Sequence, residues 1–313
     1  MSDFSDDDST GQVEVEETAE KFVPGHPLDD PSADFVLRSS DDVDFRVHAT
    51  ILSIASPVFK DMLTFSRETD APPIIKLVED HTTLNWILRA CYPTSTPDLK
   101  DLDFIYNIVQ VADKYQMDFI MDRLEVPLSK YLETQPIRVF AIAYHLKKSP
   151  LAASAARRML GIPLDDIIQT DIPEFKSLPV YALQRLVLYH KQCSEKAVWC
   201  TTHFHRWHVV QDPPPCWWKV HMPHDPKATR CASAECTTIH RMISTVHPRQ
   251  WFVDRITEVG QTLSKRPVGS AITWKKIPKY ALECPTCSPT IVNDIIAFTR
   301  VLAAKVDELV GQV

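Results

Sequence analysis

Two cysteine pairs hold the clearest capacity for chemistry in this sequence. Cys284-Pro285-Thr286-Cys287 is a C-x₂-C knuckle, and Cys231 and Cys236 form a wider C-x₄-C pair upstream of it. Four thiolates drawn from two such pairs can hold one Zn²⁺ in a tetrahedron, with Zn–S distances of about 2.3 Å. A proline-rich segment of weak periodicity would gain order from such a clip, because metal binding is coupled to folding. Four unrelated buried thiols account for the same residues, since unpaired cysteine is among the most buried residue types. Structural zinc at Cys231, Cys236, Cys284 and Cys287 is one of these two open readings, with Cys200, His203, His205, His208, Cys216, His221 and His224 as further donors. A hydrolytic zinc would also need a general base, and no HExxH-like pattern supplies one. The run Cys200-x₂-His203-x-His205-x₂-His208 invites a thiol–imidazole reading. Nucleophilic catalysis, however, needs base and thiol held together by an orienting group, which local spacing does not provide. A surface or helix-end cluster is the plainer interpretation. Trp217, Trp218, Trp251 and Trp274 could form a partner-binding patch or part of a core. No catalytic or cofactor-binding residue is expected, and the chain reads as a non-enzyme.

Composition narrows the function further. The chain has only 6 Gly, and none are clustered as a phosphate-cradling loop requires. The formal charge is −7, yet Asp3, Asp6, Asp7, Asp8, Glu14, Glu16, Glu17 and Glu20 precede the first Lys or Arg. The remainder is close to neutral, which argues against a broad nucleic-acid surface. An alternative is a nuclear regulator whose metal-stabilised residues 200–313 bind nucleic acid. Scattered basic residues such as Lys275, Lys276 and Lys279 keep that alternative open. The start, MSDFSDDDSTGQ, has neither the basic nor the apolar part of a secretory signal. No apolar run approaches the ~20 residues of a membrane helix. The expected setting is intracellular, cytoplasmic or nuclear or both, without membrane insertion and with reduced cysteines.

The elements that must position these residues follow from periodicity. Residues 1–30 are acidic and poor in large apolar side chains, so they read as a disordered tail. Phe35 and Leu37, then Phe45 and Val47, alternate with polar neighbours around Ser39-Ser40-Asp41-Asp42, as in a half-buried β-hairpin. Thr50–Ala55 reads as a short helix. Ser56-Pro57 then caps a new helix that carries Val58, Phe59, Met62 and Leu63 inward. Ile74–Val78 reads as a strand. Helical faces follow at Leu84, Ile87, Leu88 and Cys91, at Leu102, Ile105, Val109 and Ala112, and at Leu124, Leu128, Tyr131 and Leu132, where Pro127 should kink or delay the helix. Residues 133–199 read as a helical extension, with a second Ser-Pro cap at Ser149-Pro150 and with Leu183, Leu186, Val187 and His190 on one face. Both His48 and His190 sit on apolar-periodic faces, where a hydrogen-bonded core role is the common one. Residues 200–313 form a Cys/His/Trp-rich, partly irregular region that ends in an amphipathic helix, Ile291 to Val310.

The run SADFVLRSSDDVDFRVHATILSIASPVFKDML resembles the opening of a BTB/POZ domain, through Asp34, Phe45, Val47, His48, Leu52, Ser56 and Phe59. The strand IIKLV and the helices ending LRACYP and VADKYQM continue that family's order, so the resemblance covers residues 31–132. It is especially similar to the fungal BTB proteins that lack kelch repeats. The resemblance implies an α+β domain, a small sheet capped by helices, that forms homodimers. It also implies an adaptor role, including for cullin-type ubiquitin ligases, or transcriptional co-regulation. Relatives of the transcription-factor type place a basic residue just after the histidine. Ala49 stands there, so a corepressor-type charged pocket is not expected. Independently, SIASPVFKDML is dense in apolar residues for a domain of ~100 residues, which can bury only part of its surface. Such surface is covered either by a second copy or by residues 136–199.

Overall fold

In a computed structural model of the chain, the described residues are 22–64, 72–207, 218–220, 246–274, 277–283 and 288–313. They fall into two compact units, residues 1–121 and 122–313. Among the described residues, no helix is long and apolar enough to cross a membrane.

The first unit is built on a three-stranded sheet of order β2-β1-β3, with β1 (Phe35–Arg38), β2 (Asp44–Val47) and β3 (Ile74–Lys76). The expected hairpin is present: Phe35 faces Val47 and Leu37 faces Phe45 across an antiparallel pair. In β2 the alternation is clean, with Phe45 and Val47 buried and Asp44 and Arg46 exposed. The central strand β1 buries Phe35, Val36 and Leu37 alike, because both of its faces are covered. Asp42 turns the hairpin at φ 59°, a conformation its short polar side chain tolerates. The pair β1–β3 is parallel and therefore needs a crossover. That crossover contains α1 (Ala49–Ala55) and α2 (Pro57–Thr64). Helices α3 (His81–Cys91) and α4 (Leu102–Lys114) follow, their first turns capped by the Asp80 and Asp101 carboxylates. Buried Glu79 accepts from Lys114 Nζ at 2.6 Å and from the Tyr115 hydroxyl at 2.9 Å, tying the approach to α3 to the end of α4.

Order begins earlier than the sequence indicated. Residues 22–30, expected as part of a tail, are held on the first unit. Leu28 is fully buried, its carbonyl accepts from Arg46 N at 2.9 Å, and Arg89 donates to the carbonyls of His26 and Gly25. One buried leucine and three backbone acceptors fix a segment whose composition alone looks too polar to order. Residues 1–21 lie outside the described set.

After α5 (Asp118–Arg123) comes α6 (Glu125–Ser129), shorter than the Leu124–Leu132 periodicity implies. Pro127 is the third residue of α6, where a helix has no use for an amide hydrogen, and the chain beyond Ser129 continues as turns. The second unit continues with α7 (Pro136–His145), α8 (Ser149–Met159), α9 (Leu164–Gln169), a 3-10 turn at Pro173–Ser177, α10 (Val180–Thr202) and α11 (Phe204–Trp207). Ser149 is the first residue of α8 rather than its cap and makes no capping bond; Lys148 precedes it. The chain uses non-glycine residues at two helix ends that glycine usually takes. Gln116 (φ 54°) and Lys147 (φ 58°) are left-handed, and Met117 N reaches Ala112 O while Lys148 N reaches Ala143 O. Arg138 and Glu174 form a buried ion pair at 2.6 Å between α7 and the 3-10 turn.

Residues 200–313 are expected to be partly irregular and to end in a helix. That helix, α14, spans Ile291–Val310 as expected. A long helix not expected from the sequence, α12 (Gln250–Lys265), packs along α10 and touches α14 through Phe252 and Phe298. Trp251, Phe252, Ile256, Val259 and Leu263 supply its buried face. Strands β4 (Trp218–Val220) and β5 (Val246–Pro248) pair antiparallel, and α13 (Lys279–Leu282) is a single turn. Phe252 sits at the centre of the core, edge-on to Phe298 at 5.3 Å and to Phe204 at 5.5 Å.

Helices α10 and α12 approach closely at Gly260. A Cβ there would lie 2.8 Å from Thr201 Oγ1, well inside contact. Gly260→Ala should therefore lower stability by about 1–3 kcal/mol, the usual range for overpacking, despite alanine's better helix propensity. Adding Thr201→Ala removes the obstructing hydroxyl and should restore most of the loss. Urea unfolding of the two single variants and the double variant checks this, and purely additive effects would contradict a close crossing at this point.

Candidate interaction surface

The junction of α1 and α2 sets the local geometry. Proline disfavours helical conformation in the residue before it, and Ser56 is extended at φ −149°, ψ 123°. Its side chain then acts twice. Ser56 Oγ accepts from Phe59 N at 3.0 Å, capping α2, and donates to the carbonyl of Tyr115 at 2.5 Å, at the end of α4. Phe59 is thereby placed flat against Tyr115, with ring centroids 4.4 Å apart. Burial and the Glu79 carboxylate push the Tyr115 hydroxyl upward from its ordinary range, so it remains a donor.

Four of the seven motif positions are core residues: Phe45, Val47, Leu52 and Phe59 are fully buried. Ser56 is the buried cap. Only Asp34 and His48 reach the surface, at the start of α1. Asp34 Oδ1 accepts from Ala49 N at 2.7 Å, satisfying one free amide of that helix end. His48 is half-buried rather than a core histidine. Its backbone N–H donates to the Tyr92 hydroxyl at 2.9 Å, and its Nδ1 lies 3.2 Å from the same oxygen. Burial raises the Tyr92 hydroxyl above its usual range. These residues line a groove of about 570 Å³ that also includes Asp30, Ile51 and Thr50. Hydrogen bonds from the Ser32 amide and hydroxyl hold the half-buried Asp30 carboxyl below its ordinary range. Among the described lining residues there is no Lys or Arg, in line with Ala49 after His48.

Beside this groove the two short helices leave apolar surface outward. Phe59 and Leu63 are buried as the periodicity predicts, but Val58 and Met62, also expected inward, are only half-buried. Ile51 is half-buried and Ile54 is 84% exposed. The sequence pattern marked the segment as apolar without separating its two sides, because α1 and α2 are each too short for periodicity to decide a face.

The chemistry-bearing clusters lie elsewhere. Cys231, Cys236, Cys284 and Cys287 fall outside the described residues, as do His208, Cys216, Trp217, His221 and His224. Cys200 is buried in the second unit, and burial pushes its thiol up to about 11, so it is protonated at neutral pH. His203 stacks on Trp199 at 4.8 Å at the end of α10. The run is thus divided between core and helix end. His190 is a buried histidine, its Nε2 3.1 Å from Ile162 O, and burial lowers its pKa. Trp251 is a core residue, and Trp274 packs against the same core.

Compared with known protein families, residues 28–132 match the BTB/POZ domain. The match starts at Leu28, the buried leucine that anchors the segment preceding β1. This part of the chain is a BTB/POZ domain, a protein-interaction module that implies dimerisation. No curated protein matches the chain at a significant level.

Because Ser56 serves two buried partners, Ser56→Ala should destabilise the protein by about 2 kcal/mol, combining a lost cap with a buried amide and carbonyl left unmet. Chemical denaturation followed by Tyr and Trp fluorescence reads this directly. A change under about 0.5 kcal/mol, the size of an ordinary surface substitution, would refute the bridging role.

Proposed function

Since residues 28–132 are a BTB/POZ domain, we propose that the chain is a protein-interaction adaptor: it homodimerises through the outer face of α1 and α2 and presents its C-terminal region to a protein partner. One observation carries this reading. Ile54 projects 84% exposed among the half-buried Ile51, Val58 and Met62, next to a groove with polar rims. An apolar centre with a polar rim is the anatomy of a protein interface. A two-fold dimer would place the same patch against itself. The larger assembly that such an adaptor would serve, by resemblance, is a cullin-type ubiquitin ligase.

Sedimentation of the full chain at micromolar concentration tests the dimer. The expected result is twice the chain mass, and a monomer would mean that this face is not self-associating. Ile54→Glu should weaken the dimer by at least about 30-fold, the effect of losing a central interface residue. Ile168→Glu, at an apolar residue 53% exposed in the second unit, should leave it intact. Titration with a purified cullin N-terminal domain tests the ligase branch separately; absence of binding would remove that branch alone.

A further inference from the structure

The outward face of α12 carries a second feature. Arg255, Glu258, Thr262 and Lys265 follow one another along the flank of the helix beside its buried face, and Arg266 caps its end. Solvent-facing helix surfaces are ordinarily convex. This one is flanked by Pro163, at the start of α9, and by Thr273, beyond the 3-10 turn Gly269–Ala271, which border an open cavity of about 960 Å³. That volume suits a small molecule.

Charge in the cavity is unbalanced. Three cations face one carboxylate among the described lining residues, and that carboxylate, Glu258, is already engaged with Arg255 Nη1 at 2.9 Å. Lys265 and Arg266 are exposed and take part in no ion pair among the described residues. The Arg255 Nε is buried yet has no hydrogen-bond acceptor among the described residues. A buried donor without an acceptor is costly, and native structures rarely keep one without a reason. The helix dipole favours basic residues in a last turn, which accounts for the type of Lys265 and Arg266. It accounts for neither the cavity nor the unmet guanidinium nitrogen about three turns upstream.

We propose that this cavity binds a small ligand bearing oxyanion groups, a phosphate or a polycarboxylate, received by the fork of Arg255 and by Lys265 and Arg266. Guanidinium matches the geometry of such oxyanions with paired donors, and the two flexible cations at the rim add charge. The hydroxyls of Thr273 and Thr262 and the amide of Gln261 supply further polar contacts within the same cavity.

The test is calorimetric titration of the full chain at low salt with inorganic pyrophosphate and, in parallel, with citrate. Sub-millimolar binding of at least one, weakening as salt is raised, is the expected result. Stronger binding of pyrophosphate assigns phosphate, and stronger binding of citrate assigns carboxylate. The double variant Lys265→Gln with Arg266→Gln should bind at least tenfold more weakly. Its thermal midpoint without anion should match that of the parent, because both side chains are exposed. Arg255→Lys should also weaken binding, because it keeps the charge and loses the fork. The proposal is overturned if neither anion binds at low salt, or if the double variant binds as tightly as the parent.

Discussion

The hydroxyl of Ser56 is the constraint on which the first unit's working surface depends. Pro57 forces an extended residue between two helices, and an extended break in the core would strand polar backbone groups. Ser56 resolves this with one oxygen that caps α2 through Phe59 N and secures the Tyr115 carbonyl at the end of α4. The two contacts fix the direction in which α2 leaves α1. The stack of Phe59 on Tyr115 follows from that direction, and so does the inward placement of Leu63. Tyr115 in turn holds buried Glu79, which Lys114 also neutralises, so the same node reaches the approach to α3.

What is fixed inward determines what is left outward. With Leu52, Phe59 and Leu63 committed to the core, helical geometry places Ile54 on the other side and leaves Val58 and Met62 partly uncovered. A surface leucine or isoleucine alone needs no explanation. Here Ile51, Ile54, Val58 and Met62 stay partly or largely uncovered on two consecutive short helices, and Ile51 also lines the groove walled by Asp30, Asp34 and His48. Burying an Ile side chain is worth about 1.5–3 kcal/mol, and a two-fold axis would count each of these residues twice. The family's motif is accordingly for the most part a description of the scaffold: its buried positions set the angle between α1 and α2, and only Asp34 and His48 reach the surface.

Legibility in the sequence tracked how local the deciding physics is. The hairpin, the Ser56-Pro57 cap and the Ile291–Val310 helix were all readable, because alternation, capping chemistry and 3.6-residue periodicity are encoded within a few residues. The order of residues 22–30 was not, since it rests on Leu28 and on Arg46 and Arg89, which are distant in sequence. Pro127 proved compatible with a helix because it falls in the first turn, a position that depends on where the helix starts. Helix α12 was overlooked although Phe252, Ile256, Val259 and Leu263 fall at i, i+4, i+7 and i+11. Its neighbours' wealth of Cys, His and Pro drew the reading toward irregular structure. The cavity on its flank could not be inferred from spacing at all, because Pro163 and Thr273 join it only through the fold.

Among the described residues of the second unit, types that suggest reactivity are largely committed to packing. Cys193 and Cys200 lie fully buried on the inner face of α10, where loss of water raises both thiols and keeps them neutral. His190 is likewise held neutral by burial and bonded to a backbone carbonyl. Trp251 and Phe252 build the interior with Phe298. Sulfur and aromatic carbon are dense and polarisable, so a small helical unit gains contact enthalpy by placing them at its centre. Reactivity requires instead an ionised or unmet group with access to solvent. Among these described helices, ionised groups open to a cavity occur on one flank of α12, where Arg255, paired with Glu258, is followed by the exposed Lys265 and Arg266. One helix thus separates the two uses of its sequence by angle alone, with aromatic and aliphatic residues on the face that closes the core and cations on the face that remains open.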